Sequence, residues 1–146
     1  RHACDLFHNR STASRKRDGT AFYVPHMAFF IALAGLREIR CASGHNALHR
    51  QKVVSSVRSS TQILENWLAG DVAHVRHKVV LLRAETMRTT IDNKKRHTNE
   101  ELESAYEDAI EASLKSGFIS DIAVAAELAA DFYFEIGNPE MAKSRP

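Results

Sequence analysis

The sequence predicts an all-α fold made of antiparallel helical hairpins stacked as an array of five helices and the start of a sixth. Apolar residues recur at helical spacing through most of residues 21–146. Glycines interrupt this pattern at the expected helix ends, as at Gly44, Gly70, Gly117 and Gly137. The only strand candidate, residues 22–24, is too short to build a sheet. Short connections then predict that consecutive helices are antiparallel.

The N-terminal part divides into a polar lead-in and a first helix. Residues 1–20 carry a basic triplet at 15–17 and no apolar period, so we expect a loop or disordered segment. The remaining residues, 21–146, form one helical domain. Pro25 suits the first turn of a helix that runs to about Cys41. Its apolar face is broad and nearly continuous around the middle of the helix, which predicts burial between neighbours: Phe29, Phe30, Leu33, Leu36, and Ile39 or Arg40.

The second and third helices follow the same logic. The second spans about Asn46 to Ala69, includes Trp67 in the core, and has an apolar stripe of Val53, Val57, Thr61, Leu64 and Leu68. The third spans about Val72 to Thr90 and buries Val75, Val79, Leu82 and either Thr86 or Met87. A polar, basic loop is expected at 91–97.

The fourth helix has the clearest boundaries. Thr98 followed by Glu101 predicts a capping box at its start, and Gly117 predicts a left-handed residue just past its end. The buried positions alternate by three and four residues: Leu102, Tyr106, Ala109 or Ile110, and Ser113 or Leu114.

The fifth helix is rich in alanine and ends at Gly137. Its predicted buried positions are Ile122, Ala126, Ala129, Ala130, Tyr133 and Ile136. Asn138 and Pro139 are typical of a helix start, so a sixth helix is expected with Ala142 as its first core residue. An apolar residue should follow about four positions later, where Pro146 stands. The chain starts with Arg1, and we expect it to be a fragment of a longer protein.

The last two helices resemble tetratricopeptide units. Ala126, the Ala129 and Ala130 pair, Tyr133 and Gly137 have the spacing of the first repeat helix. Three further residues have the spacing of the second: Leu102, Tyr106 and Ala109. Residues 62–142 also resemble the helical-repeat region of large multidomain signalling proteins, which contain a kinase-like module, an AAA/STAND-type ATPase and sensor, histidine-kinase or cyclase outputs. This resemblance implies a non-catalytic scaffold or interaction segment in the cytoplasm, with a protein partner or neighbouring modules of the same chain.

Charge is distributed unevenly along the chain. Residues 1–98 carry 17 basic and 7 acidic side chains (17 − 7 = +10), whereas residues 99–146 carry 3 basic and 11 acidic ones (3 − 11 = −8). The favoured interpretation is that basic residues 76–96 form a solvated face that pairs with the acidic helix at 100–111. The alternative is an anion- or nucleic-acid-binding module that uses residues 1–98.

No residue pattern predicts catalysis, a cofactor or a metal. His45 with His49 and His74 with His77 have helical spacing, but a zinc site needs three or four ligands, so surface histidines are favoured. Glu127 and Asp131 are expected on an exposed flank. No phosphate-binding loop or nucleophile elbow occurs, and the apolar run at 27–36 is too short for a bilayer. Cys4 and Cys41 lack paired spacing, which favours a reducing compartment.

Overall fold

A computed structural model describes residues 20–41, 46–70, 72–91 and 96–137. Within these residues the structure consists of five α-helices and one short 3₁₀ turn, with no strand. The predicted all-α class is therefore confirmed. Of the lead-in predicted for residues 1–20, only Thr20 is described, and it begins the first helix. The sixth helix predicted from Asn138 and Pro139 lies outside the described residues.

The helix boundaries follow the sequence signals closely. In chain order the elements are α1 at Thr20–Cys41, α2 at Ala47–Ala69, a 3₁₀ turn at Ala73–Val75, α3 at Arg76–Thr89, α4 at Asn99–Ser116 and α5 at Ile119–Glu135. The predicted third helix therefore begins with a tighter turn, and its α-helical part starts at Arg76.

Helix α1 begins earlier than the sequence predicted. It starts at Thr20, so Pro25 lies inside the helix and not in its first turn. Proline lacks the amide hydrogen that would bond to the carbonyl four residues earlier, and α1 loses one hydrogen bond near its start. Pro25 is buried. The sequence prediction placed the helix start too late because it assumed that Pro25 lies in the first turn.

The predicted caps are present at both ends of α4. The Thr98 hydroxyl accepts a hydrogen bond from the Glu101 amide, and the Glu101 carboxylate accepts one from the Thr98 amide. Gly117 has a φ of +73°, a conformation that glycine adopts without steric cost. At the start of α2, the Asn46 side chain accepts a hydrogen bond from the Leu48 amide. These contacts satisfy backbone groups that have no partner within their own helix.

Helix α3 lies at the centre of the packing. It contacts α1, α2 and α4, while α1 packs most extensively on α2 and α5 packs on α4. Helices α1 and α2 approach closely at Gly35, where an added Cβ would lie 2.6 Å from the Val57 Cγ2 atom. A side chain at this position would force Val57 or the helix contact to shift.

The buried face of α5 is rotated from the predicted one. Ala129 and Tyr133 are buried as predicted, but Ala126 and Ala130 are only half-buried. The other apolar core positions of the helix are Ala125 and Phe132. Because α5 rests on α4 and contacts α3 through side chains, its inner face is centred on these four residues, and the face that carries Ala126 and Ala130 is open.

Helix α1 is not enclosed on all sides. Phe29, Leu36 and Ile39 are buried as predicted, whereas Phe30 is exposed. Helices α2 and α3 pack on α1 and leave the side that carries Phe30 open. In α4 the open choice between Ser113 and Leu114 is settled, because Ser113 is buried and Leu114 is half exposed.

Candidate functional site

The central helix α3 carries four ionisable side chains that are almost inaccessible to solvent. His77, Lys78 and Glu85 are buried residues, and the side chain of Arg88 is only 4% exposed. A buried charge is costly unless a counter-charge and hydrogen bonds compensate it. The partners of these four residues therefore determine how α3 is fixed to its neighbours.

The first cluster joins the start of α3 to the start of α5. Asp121 Oδ2 accepts hydrogen bonds from the Lys78 ammonium and from His77 Nε2, the latter at 2.7 Å. All three side chains are buried. Because Asp121 can only accept, His77 donates from Nε2, and its other ring nitrogen is an acceptor. That Nδ1 atom is buried and has no hydrogen-bond partner among the described residues.

Burial controls the ionisation of this cluster. Burial lowers the pKa of His77 below its ordinary value of 6.5, although the hydrogen bond to Asp121 opposes this effect. Burial alone would raise the pKa of Asp121, but the hydrogen bonds from Lys78 and His77 and the Lys78 charge lower it. The cluster therefore holds an ionised Asp121 beside a neutral His77.

Aromatic rings close the first cluster. The Lys78 ammonium lies 5.2 Å from the ring centroid of Phe29 in α1 and 5.7 Å from that of Phe118, just before α5. The His77 ring stacks on Phe118 with a centroid separation of 5.7 Å. A cation over an aromatic face is stabilised by the ring quadrupole. Lys78 thus contacts an aromatic ring of α1 and the ring that immediately precedes α5.

The second cluster surrounds Glu85 at the end of α3. Its carboxylate, 2% exposed, accepts hydrogen bonds from the Arg40 guanidinium of α1 and from the Tyr106 hydroxyl of α4. It also accepts one from Arg88 Nη1 at 3.4 Å. One carboxylate thus compensates two guanidinium groups and satisfies a buried hydroxyl.

Arg88 extends the second cluster to α5. Its Nη1 donates to the Leu128 carbonyl at 3.3 Å, and its Nε donates to Glu135 at 3.0 Å. Although burial opposes the charge, hydrogen bonds and nearby negative groups raise the pKa of Arg88. Burial and the neighbouring Glu85 raise the pKa of Tyr106. At neutral pH the hydroxyl is protonated and the guanidinium is charged.

The two clusters fix the relative direction of three helices. At one end, Lys78 contacts Phe29 of α1 and Asp121 of α5. At the other end, Glu85 contacts Arg40 near the end of α1, and Arg88 contacts Glu135 at the end of α5. Helices α1, α3 and α5 therefore run in the same direction.

The basic residues of α3 pair differently from the prediction. They were expected to form a solvated face against residues 100–111, but Lys78 and Arg88 are buried and pair with Asp121, Glu85 and Glu135. Arg83 is exposed and lies 3.5 Å from Glu65 of α2. Glu85 lies seven residues after Lys78, about two helical turns along the same face of α3. This spacing was the signal in the sequence that could have predicted charged residues on the buried face.

An open groove lies between the outer faces of α3 and α4. It encloses a volume of about 700 Å³. Arg76 and Arg83 stand on the α3 side, and Asp108 and Glu111 stand on the α4 side. Its other lining residues are mainly small or apolar: Ala73, His77, Val80, Ala84, Met87, Ala105, Ala112, Lys115 and Ser116. On the α4 side, Lys115 pairs with Glu111 at 2.6 Å, so Asp108 supplies the uncompensated negative charge of that wall. The groove therefore has a cationic wall, a wall that carries Asp108 and a largely apolar floor.

The residues weighed as metal or acid sites have different surroundings, although His74 lies close enough to His77 for its charge to lower the pKa of His77. His49 is exposed and lies 2.6 Å from Glu38, while His77 is buried against Asp121, which corrects the expectation of a surface histidine. His45 lies outside the described residues. Across the described part of the chain, no three or more His, Cys, Asp or Glu side chains are grouped as a metal site. Glu127 and Asp131 are exposed, as predicted.

Comparisons with protein-family models, with curated proteins and with solved structures found no match to the chain. Among the helices that the structure describes, none has the length and apolar content that a membrane crossing requires. Cys41 is a free, exposed thiol, and Cys4 lies outside the described residues.

Proposed function

We propose that this chain is a non-catalytic helical scaffold that binds a protein segment in the groove between α3 and α4. Its place would be within a large cytoplasmic signalling protein with ATPase or kinase modules. The resemblance of residues 62–142 to the repeat region of such proteins supports this placement. The partner is a separate protein or a neighbouring module of the same chain.

The opposed charges of the two groove walls carry the proposal. Arg76 and Asp108 are exposed on opposite walls, and neither makes an ion pair within the described residues. The groove is too open and too charged for a small apolar ligand. A helix that presents an apolar stripe between an acidic row and a basic row complements both walls and the floor.

The chemistry of the buried clusters favours a structural role over a catalytic one. His77 and Asp121 form a pair of the kind that serves general-base catalysis. However, His77 Nε2 is occupied by Asp121, and Nδ1 is buried. Neither ring nitrogen can reach a substrate proton in this arrangement, so the pair serves to hold α5 against α3.

The buried cations also argue against the alternative anion-binding module. Lys78 and Arg88 are buried and already neutralised by carboxylates, and Arg40 is bound to Glu85. Fewer cations of residues 1–98 are therefore available to phosphate groups than the net charge suggests. A protein segment remains the better-supported partner.

The experiment measures binding of three designed helical peptides of about 18 residues, long enough to span α3 at 1.5 Å per residue. One peptide has an acidic and a basic row beside an Ala/Leu stripe, one has two acidic rows and one has two basic rows. Fluorescence anisotropy should show that the mixed-charge peptide binds tightest. The double variant Asp108→Lys/Glu111→Lys makes both walls cationic, and it should prefer the doubly acidic peptide by about tenfold or more.

The matched control is Glu103→Lys/Glu107→Lys, which makes the same charge change on α4 outside the groove lining. This variant should keep the preference of the parent for the mixed-charge peptide. Equal binding of all three peptides by the parent, or the same switch in the control variant, would overturn the proposal.

A further inference from the structure

The outer face of α5 is an exposed apolar stripe. Ile119 is 83% exposed and Phe134 is 58% exposed, although both are large apolar residues. Between them, at helical spacing, lie exposed Ala123 and half-buried Ala126 and Ala130. The stripe thus runs the full length of the helix with small residues at its centre, and small residues allow another helix to approach closely.

Helix α1 presents a second stripe of the same kind. Tyr23 is 71% exposed and Met27 is 57% exposed, and Phe30 and Ala34 continue the row along the same face. A row of exposed large apolar side chains on one helix face is typical of an interaction site, whereas single exposed apolar residues need no explanation. The α1 stripe spans about 12 residues, or roughly 17 Å at 1.5 Å per residue, and the α5 stripe spans about 16 residues, or roughly 22 Å.

The charges beside the two stripes are complementary. Glu127 and Asp131 border the α5 stripe, and α5 contains no lysine or arginine. Arg37 borders the α1 stripe and is exposed, with no ion pair among the described residues. The one acidic residue of α1, Glu38, is paired with His49 of α2. Two α5 faces would therefore repel each other, whereas an α5 face and an α1 face attract.

We infer that the α5 face of one copy of this chain binds the α1 face of a second copy. The contact joins two different surfaces, so it is heterologous. Each copy retains one unused face after the contact forms, and further copies add head to tail unless the rotation closes a ring. The inference is independent of the groove, since none of the residues of either stripe lines it.

Two single substitutions separate this arrangement from a symmetric dimer. Phe30→Glu blocks the α1 face, and Phe134→Glu blocks the α5 face. Sedimentation velocity of the parent should show association that grows with concentration beyond a dimer. Each variant alone should be monomeric, because one of its two complementary faces is blocked. An equimolar mixture should form a 1:1 dimer and nothing larger, because each variant supplies the face that the other lacks.

A charge exchange provides a second readout. A copy with Glu127→Arg should bind the α1 face of the parent about tenfold more weakly than the parent binds itself. Mixing it with a copy that carries Arg37→Glu should restore the affinity, because the two charges are then exchanged. Circular dichroism checks that each variant is folded. If a phenylalanine variant is unfolded, Met27→Glu blocks the α1 face and Ile119→Glu blocks the α5 face, and the mixing experiment is repeated with these two variants. A parent that stays monomeric at millimolar concentration, or a single variant that dimerises alone, would overturn the inference.

Discussion

Glu85 is the residue on which three helices depend. It is buried, compensates Arg40 and Arg88, and accepts a hydrogen bond from the Tyr106 hydroxyl. Glu85→Gln keeps the shape of the side chain but leaves two guanidinium groups beside a neutral amide. Removal of one partner from a buried ion pair costs about 3–5 kcal/mol. We expect a loss of this size in the free energy of unfolding, measured by urea titration.

Glu65→Gln is the matched control for this substitution. Glu65 is paired with Arg83 at the surface, where an ion pair contributes only about 0–1 kcal/mol. A loss below about 1 kcal/mol for Glu85→Gln, equal to that of the control, would show that the buried cluster does not hold the helices together.

His77 should make stability depend on pH near neutrality. Its pKa is below 6.5 in the folded protein, so the unfolded chain binds a proton more readily as the pH falls through 6.5. The free energy of unfolding should therefore decrease between about pH 7.5 and about pH 5.5. The lowered pKa of Asp121 adds stability that is lost only below its ordinary value of 3.8, outside this window. Thermal unfolding at several pH values measures the slope.

The control for this prediction replaces an exposed histidine. His77→Gln should flatten the dependence of the free energy of unfolding on pH, even if it lowers stability overall. His49→Gln removes a surface pair with Glu38, which contributes only about 0–1 kcal/mol, so it should change the slope less than His77→Gln does. An identical slope in all three proteins would contradict the assignment of a buried, neutral His77.

At the scale of elements, two substitutions in α5 test which of its alanine residues pack against the other helices. Ala129 is fully buried, whereas the adjacent Ala130 is half-buried. Ala129→Leu should therefore lower the free energy of unfolding by about 1–3 kcal/mol through overpacking. Ala130→Leu adds the same atoms on the open face and should change it by less than about 0.5 kcal/mol. Chemical denaturation measures the free energy of unfolding of the two variants. Equal losses in both would contradict the assignment of Ala130 to the open face of α5.

Local sequence signals predicted the helix boundaries well, but they predicted less well which side chains are buried. The capping box of Thr98 and the left-handed Gly117 depend on contacts within a few residues, so the sequence specifies them directly. The burial of Lys78 depends on Asp121, more than forty positions away, and no local pattern encodes such a pair. The exposure of Phe30 likewise depends on which helices cover α1. The groove required the relative placement of α3 and α4, which periodicity alone does not give.

At the scale of the whole molecule, the polar interior and the outer surfaces have different roles. The clusters at His77 and Glu85 fix α1, α3 and α5 in one direction, and this leaves the α3–α4 groove open on one side. The outward faces of α1 and α5 are apolar and uncovered by the described helices. A rigid centre with several open surfaces is what a scaffold requires, and binding should occur without rearrangement of the helices.

The central claim is that a protein segment docks in the groove, and amide chemical-shift mapping with the mixed-charge helical peptide tests it most directly. The proposal predicts perturbations at Ala84, Ala105 and Ala112 on the groove floor and at Arg76 and Asp108 on its walls. Perturbations confined to the outer faces of α1 and α5, or none at saturating peptide, would contradict it.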